Sequence, residues 1–234
     1  MRRYGIPHLA FINKCDRAGA NPLRVVEQLR EKLSLNPVLM QLPLGLEASL
    51  QGVVDLVAME AVYFDGPQGQ QIRREPIPDQ IASDAACARE KLLDAVSMFS
   101  DELTEAILEG QVTQELIVEA IRKATVAQQI TPVFLGSAYK NRGVQALLDG
   151  ITAYLPALCD REQRATSIED GHELVLGGSA DGSLVLMAFK VDDVRFGQLT
   201  YVRVYDGTLR RASTLLNMRT QKKNCLGRLV RMHD

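Results

Sequence analysis

His8-Leu9-Ala10-Phe11-Ile12-Asn13-Lys14-Cys15-Asp16 sets an apolar run directly before a polar Asn-Lys-x-Asp tetrapeptide. The run from His8 to Ile12 has the length and the Leu, Phe and Ile content of a buried strand. Asn21-Pro22 then supplies a helix N-cap and a first-turn proline. Val25, Val26, Leu29 and Leu33 follow at helical spacing, and Asn36-Pro37 is expected to stop that helix. Strand, polar loop and helix make the unit of an α/β sheet, whose ligands bind beyond the carboxyl ends of its strands. The tetrapeptide stands at such an end.

The unit recurs late in the chain. Thr131 to Leu135 is a second buried-strand run, Gly136-Ser137-Ala138 follows it, and Gly143 opens a helix with Val144, Leu147, Leu148 and Ile151 expected inward before Pro156. Between the two units lie short β-type runs, Val53 to Val57 and Ala61 to Phe64, punctuated by Pro43, Gly45, Gly52, Gly66 and Gly69. Asp79 is expected to cap a long helix with Ile81, Ala85, Ala88, Leu92, Ala95, Val96 and Phe99 on one face. Ser100 and Thr113 cap two more, the second with Glu115 in its first turn, where an acid suits the helix dipole. These elements read as a mixed subdomain of their own. The polar stretch from Asp160 to Gly171 reads as a linker, after which Val185, Met187, Phe189 and Val191 alternate toward one face. Asp206-Gly207 is expected as a hairpin turn. The roughly 60 residues of this last region are few for a closed barrel.

The composition excludes several classes. With 234 residues, 46% of them hydrophobic, the chain has material for a substantial core. Lys and Arg number 27 against 29 Asp and Glu, a net charge of -2, so no bulk basic excess points to nucleic acid or membrane. Cys15, Cys87, Cys159 and Cys225 lie far apart without a CxxC pair, which speaks against a structural zinc site or a disulfide scaffold and for a reducing, cytoplasmic setting. No signal-peptide h-region and no apolar run of spanning length is present, so no membrane partner is expected.

The tetrapeptide has a physical logic. Guanine presents two adjacent donors, the ring N–H and the exocyclic amine, and a carboxylate accepts both in one planar contact. Asp16 would fill that role, Asn13 would brace the loop and base edge, and the alkyl stem of Lys14 would cover the ring. Taken alone, the tetrapeptide is as readily a polar turn capping a sheet. Gly136-Ser137-Ala138 changes the balance, because it ends the neighbouring strand. There the Ala138 N–H could donate to the guanine carbonyl, and Ser137 could hydrogen-bond Asp16.

Several stretches together resemble the elongation factor G family of translational GTPases: Phe11 to Arg17, Gln41 to Gly45, Gly52 to Leu56, Gly136 to Gln145 and Arg195 to Arg203. The resemblance implies an α/β fold: a partial P-loop-type GTPase domain lacking its N-terminal half, with an inserted α+β subdomain, followed by the start of an all-β barrel domain. On that reading residues 1–37 and 131–159 belong to the GTPase domain and 38–130 form the insert. Residues 160–175 are the linker and 176–234 begin the barrel. Asp16 and Ser137 stand 121 positions apart, far more than one helix and strand require. The resemblance implies GTP or GDP as ligand, held here by guanine contacts from Asn13, Lys14, Asp16, Ser137 and Ala138. It implies the ribosome as partner, with the insert facing the stalk proteins and the second domain touching ribosomal RNA.

No Gly-x-x-x-x-Gly-Lys-Ser/Thr occurs, so the sequence offers neither a phosphate cradle nor the hydroxyl that would meet magnesium, and no residue is assigned a catalytic role. His8, His172 and His233 match no water-positioning motif. Hydrolysis by these residues alone is therefore not expected. Between Thr208 and His233 seven basic residues occur without an acid, either an RNA-facing surface or a solvated, charge-protected face. Two other readings stay open, a non-enzymatic ribosome- or partner-binding module and a release-factor recycling GTPase. Unpaired sheet edges would favour self-association.

Overall fold

The computed structural model describes residues 4–157, 160, 162–168, 170–194 and 197–230. The apolar run before the tetrapeptide forms β1 (Ala10–Ile12). Asn21 caps α1 (Pro22–Leu33), accepting from the Arg24 N–H at 3.0 Å, and Pro22 occupies the first turn, where a missing N–H costs nothing. The helix ends at Leu33 through a left-handed Ser34, short of Asn36-Pro37. There follow β2 (Pro37–Leu39), β3 (Gln41–Leu44), β4 (Gly52–Asp55), β5 (Glu60–Asp65) and β6 (Gln71–Glu75). Helices α2 (Asp79–Ser97), α3 (Asp101–Glu109) and α4 (Gln114–Val126) lead to β7 (Thr131–Leu135) and α5 (Val144–Tyr154).

Strands β1, β7 and β2 form a parallel sheet in that order, with Ile12 opposite Leu135 and Pro37 opposite Thr131. Val38 and Leu39, read from sequence as the start of the insert, thus belong to this sheet. The chain leaves it at Met40, whose N–H donates to the Val133 carbonyl at 3.0 Å and whose carbonyl accepts from Leu56 at 3.0 Å. The antiparallel sheet β3-β4-β5-β6 therefore grows directly out of the parallel one. The middle segment and the parallel sheet lie within one compact unit, which runs to residue 156. The reason lies in β7. Its Val133 and Leu135 pack with Ile12, Cys15, Val26 and Leu50, while Phe134 joins Leu92, Ile117, Ile121 and Tyr154, so the helices of the middle segment and α5 share one core.

Ser100 and Thr113 cap α3 and α4 as their sequences imply, accepting from Leu103 and Leu116. Asp79 does not cap α2. It is the first helical residue, with Pro78 in the cap position, where a carboxylate still favours the positive end of the helix. In α5, Leu148 and Ile151 are exposed rather than inward. Gly150 explains this: it lies so close to Phe134 that a Cβ would fall 2.3 Å from the ring, and the helix turns Gly150 and Tyr154 to the core.

Residues 157–234 form a second unit. Its strands pair as three two-stranded antiparallel ribbons: β8 (Gln163–Thr166) with β9 (Glu173–Leu176), β10 (Val185–Val194) with β11 (Gly197–Asp206), and β12 (Thr214–Asn217) with β13 (Lys222–Cys225). The expected linker is thus partly a hairpin, closed by the Ser167 N–H to His172 O bond and by Arg164 paired to Glu173 at 2.9 Å across the strands. Met187, Phe189 and Val191 are exposed, and Phe189 falls at a register shift where no residue of β11 is paired with it. Asp206-Gly207 is not a hairpin turn, since β11 pairs backward with β10 and β12 forward with β13. The Asp206 carboxylate instead accepts from the Ser179 and Gly207 N–H groups at 2.9 and 3.0 Å, folding the turn onto residues 179–184. Among the described residues no barrel closes. Arg210, Arg211, Arg219, Lys222, Lys223 and Arg228 are exposed; Cys159, Arg195, Phe196, Arg231 and His233 lie outside the described residues.

Candidate functional site

Parallel pairing of β1 with β7 puts Asn13 and Gly136 at adjacent strand ends. The backbones are then stitched together: Gly136 N–H donates to Ile12 O and Cys15 N–H to Gly136 O, each at 3.0 Å. Lys14 is left-handed, with φ 65°, which reverses the chain within the tetrapeptide. Cys15 is buried beneath it, its thiol donating to Ile12 O, and burial pushes that thiol up so that it stays protonated. On the other strand, a Cβ on Gly136 would lie 2.1 Å from the Arg142 carbonyl, so only glycine permits the closed loop in which Ser137 and Arg142 exchange backbone hydrogen bonds of 2.9 and 3.0 Å.

These two loops bring all five sequence-derived residues together. The Ser137 hydroxyl adjoins the Asp16 carboxylate and favours its charged form, and the Lys140 ammonium stands 3.6 Å from it. Only 10% of the Asp16 side chain is exposed. Burial alone would raise its pKa, but the Ser137 hydroxyl, with help from Lys140, outweighs that and holds the carboxyl below its usual range. The carboxylate is therefore ionised at neutral pH. Asn13 Oδ1 accepts from Lys14 N–H at 2.8 Å and from Ala138 N–H at 2.9 Å. The Ala138 amide, expected at a guanine carbonyl, is thus bonded to Asn13 in this arrangement, and Asn13 braces both loops. Lys14 is exposed.

Sequence reasoning missed two neighbours. Lys140 lies three residues beyond Ser137 in the same loop, and only the closure of that loop at Ser137 and Arg142 turns it back toward Asp16. Glu47 reaches the tetrapeptide loop from the β3–β4 turn and had no local signal. His8 Nε2 lies 3.2 Å from the Thr131 hydroxyl, a packed rim position. Among the described residues no three His, Cys, Asp or Glu side chains converge into a cluster that could hold a metal ion. No helix among them is long and apolar enough to cross a membrane.

The sequence model of the family described as "Elongation factor Tu GTP binding domain" matches residues 1–157. Over its whole length the chain is similar to elongation factor G 2 of Anaeromyxobacter dehalogenans (strain 2CP-C), at 56% identity, and to elongation factor G 1 of Syntrophus aciditrophicus (strain SB) and of Treponema pallidum (strain Nichols), at 53% and 52%. In each case all of this chain aligns with 34% of the relative, so the chain spans about a third of the length of the curated relatives it matches. A crystal structure of a Thermus thermophilus protein aligns with a TM-score of 0.75 at 26% identity, over 96% of this chain and 31% of that one.

Proposed function

The chain belongs to the elongation factor Tu GTP-binding-domain family, and on that premise we propose that Asn13, Lys14, Asp16, Ser137 and Ala138 form the guanine-recognising part of a GTP/GDP site in an elongation factor G-type GTPase. The observation that carries this reading is the Asp16 carboxylate, kept ionised by Ser137 and Lys140 at the adjoining carboxyl ends of two parallel strands. An ionised carboxylate is acceptor-only, and its two oxygens match the ring N–H and exocyclic amine of guanine. Adenine offers an acceptor where guanine has that ring N–H, and would leave a partly buried carboxylate unpaired. Asn13 fixes the separation of the two loops, and the Lys14 stem lies over the base. The Ala138 amide serves the guanine carbonyl if the base draws it from Asn13.

On this reading the phosphate contacts and magnesium ligands come from outside these residues, and hydrolysis is not assigned to any of them. Residues 1–39 and 131–157 are GTPase-domain elements, the segment between them an insertion, and the second unit the beginning of a barrel domain. The partner is the ribosome, in the cytoplasm, with the insertion toward the stalk proteins and the exposed basic residues of 210–228 toward RNA phosphates.

The test is a calorimetric titration of the chain with GDP, guanosine and ADP in magnesium buffer, repeated with Asp16→Asn. Guanine-selective binding that disappears in the variant supports the reading. Equal affinity for guanosine and adenine compounds, or selectivity untouched by the substitution, would overturn it.

A further inference from the structure

Glu47 stands in the turn between β3 and β4 with φ 59°, a left-handed conformation uncommon for a residue with a side chain. It makes two hydrogen bonds to the tetrapeptide loop. Its backbone N–H donates to the Cys15 carbonyl at 2.9 Å, and its carboxylate accepts from the Gly19 N–H at 2.7 Å. Cys15 is the residue before Asp16 and Gly19 lies three after, so the two bonds bracket the carboxylate-bearing residue. The turn that presents Glu47 is tightly held. A Cβ on Gly45 would lie 2.2 Å from the Ser49 carbonyl, Gln51 N–H donates to Leu44 O at 2.8 Å, and Leu50 is wholly buried in the core beneath both loops. The Leu50 carbonyl in turn accepts from the Arg142 guanidinium at the end of the Ser137 loop. One turn therefore holds both recognition loops from behind. Strained backbone persists where its surroundings over-determine it, and here those surroundings are the loop of Asp16.

We propose that Glu47 is a positioning residue for guanine recognition, fixing the orientation of Asp16 through Cys15 and Gly19; this rests on the reading of Asn13 to Asp16 as a guanine site. Glu47 need not touch the base. A bidentate contact fails when the carboxylate plane rotates, whereas a single hydrogen bond tolerates the rotation. Loosening the loop should thus weaken guanosine more than inosine, which lacks the exocyclic amine.

The experiment is an NMR titration of the chain with guanosine and with inosine, for the wild type, Glu47→Ala, Glu47→Gln and Glu47→Asp, with thermal melts in parallel. Glu47→Ala is expected to lower the guanosine-to-inosine affinity ratio by about fivefold, the factor that corresponds to one ordinary hydrogen bond. Glu47→Asp, which keeps the charge but is too short to reach Gly19, should behave like Glu47→Ala and covers the case in which alanine unfolds the turn. Glu47→Gln, whose amide oxygen can still accept from Gly19, should stay within about twofold of the wild type. A ratio unchanged in Glu47→Ala or Glu47→Asp overturns the proposal, as does a Glu47→Gln loss as large as theirs, which would make the effect one of charge. A wild-type chain with no preference for guanosine over inosine would instead remove the guanine-site reading itself, a result distinct from the others.

Discussion

The Asn13 side-chain oxygen accepts the Ala138 amide proton at 2.9 Å, joining two loops whose residues lie 125 positions apart. The same oxygen accepts from Lys14 at 2.8 Å, so one small side chain sets both the curl of the tetrapeptide and its distance from the Ser137 loop. The parallel register of β1 and β7 makes this possible, because it brings Ile12 and Leu135 level and lets both chains leave the sheet at the same edge.

Asn13→Ala is expected to leave the Ala138 N–H without its acceptor. The cost should be about 1–2 kcal/mol, read as a melting temperature lower by a few degrees, with guanosine affinity reduced roughly fivefold or more. Asn13→Asp keeps the acceptor and should retain most of the stability.

Asp16 has a folded-state pKa below its unfolded value, so the stability contributed by its ionisation is present above the ordinary carboxylate range and is lost only as pH falls through the depressed value. Guanosine binding should accordingly stay level from neutral pH down through the ordinary carboxylate range and weaken only below it. In Ser137→Ala, which removes the main cause of the depression, the decline should begin at higher pH. A titration series across this range checks both; loss of wild-type binding already between about pH 6 and 5 would contradict the assignment.

Asp16→Asn exchanges one acceptor oxygen for an amine. Xanthine presents a carbonyl where guanine has its exocyclic amine, so the amide can accept from the ring N–H and donate to that carbonyl. The variant should bind xanthosine better than guanosine, reversing the wild-type order by about tenfold or more in parallel titrations.

Gly150→Ala places a methyl group 2.3 Å from the Phe134 ring, which is itself buried in the shared core. Overpacking of this kind costs about 1–3 kcal/mol, so thermal unfolding of the variant should shift downward. Leu148→Ala, on the exposed side of the same helix, should change stability by no more than about 0.5 kcal/mol.

None of the described residues beyond 157 is buried, and the strands there form separate ribbons. Isolated two-stranded ribbons are marginal in water. Amide hydrogen exchange followed by mass spectrometry should show β10 and β11 exchanging much faster than β7 and α4, which lie in the core of the first unit.

Sequence alone determined the elements whose signals are local. The apolar run Thr131 to Leu135 is β7 residue for residue, and the Asn21, Ser100 and Thr113 caps sit where their side chains reach an N–H within three residues. Such interactions span one helical turn, so they are legible in a short window. The adjacency of the Asn13 and Ser137 loops was legible too, because each follows a buried-strand run of the same α/β pattern. Tertiary structure decided the rest. Which face of α5 is buried depended on Gly150 meeting Phe134, and the extent of the parallel sheet depended on Pro37 to Leu39 finding β7. The bonding of Ala138 to Asn13 and the grip of Glu47 on Gly19 join residues 125 and 28 positions apart. No periodicity or cap encodes those pairs, since they form only after loop closure has been offset by burial of a common core.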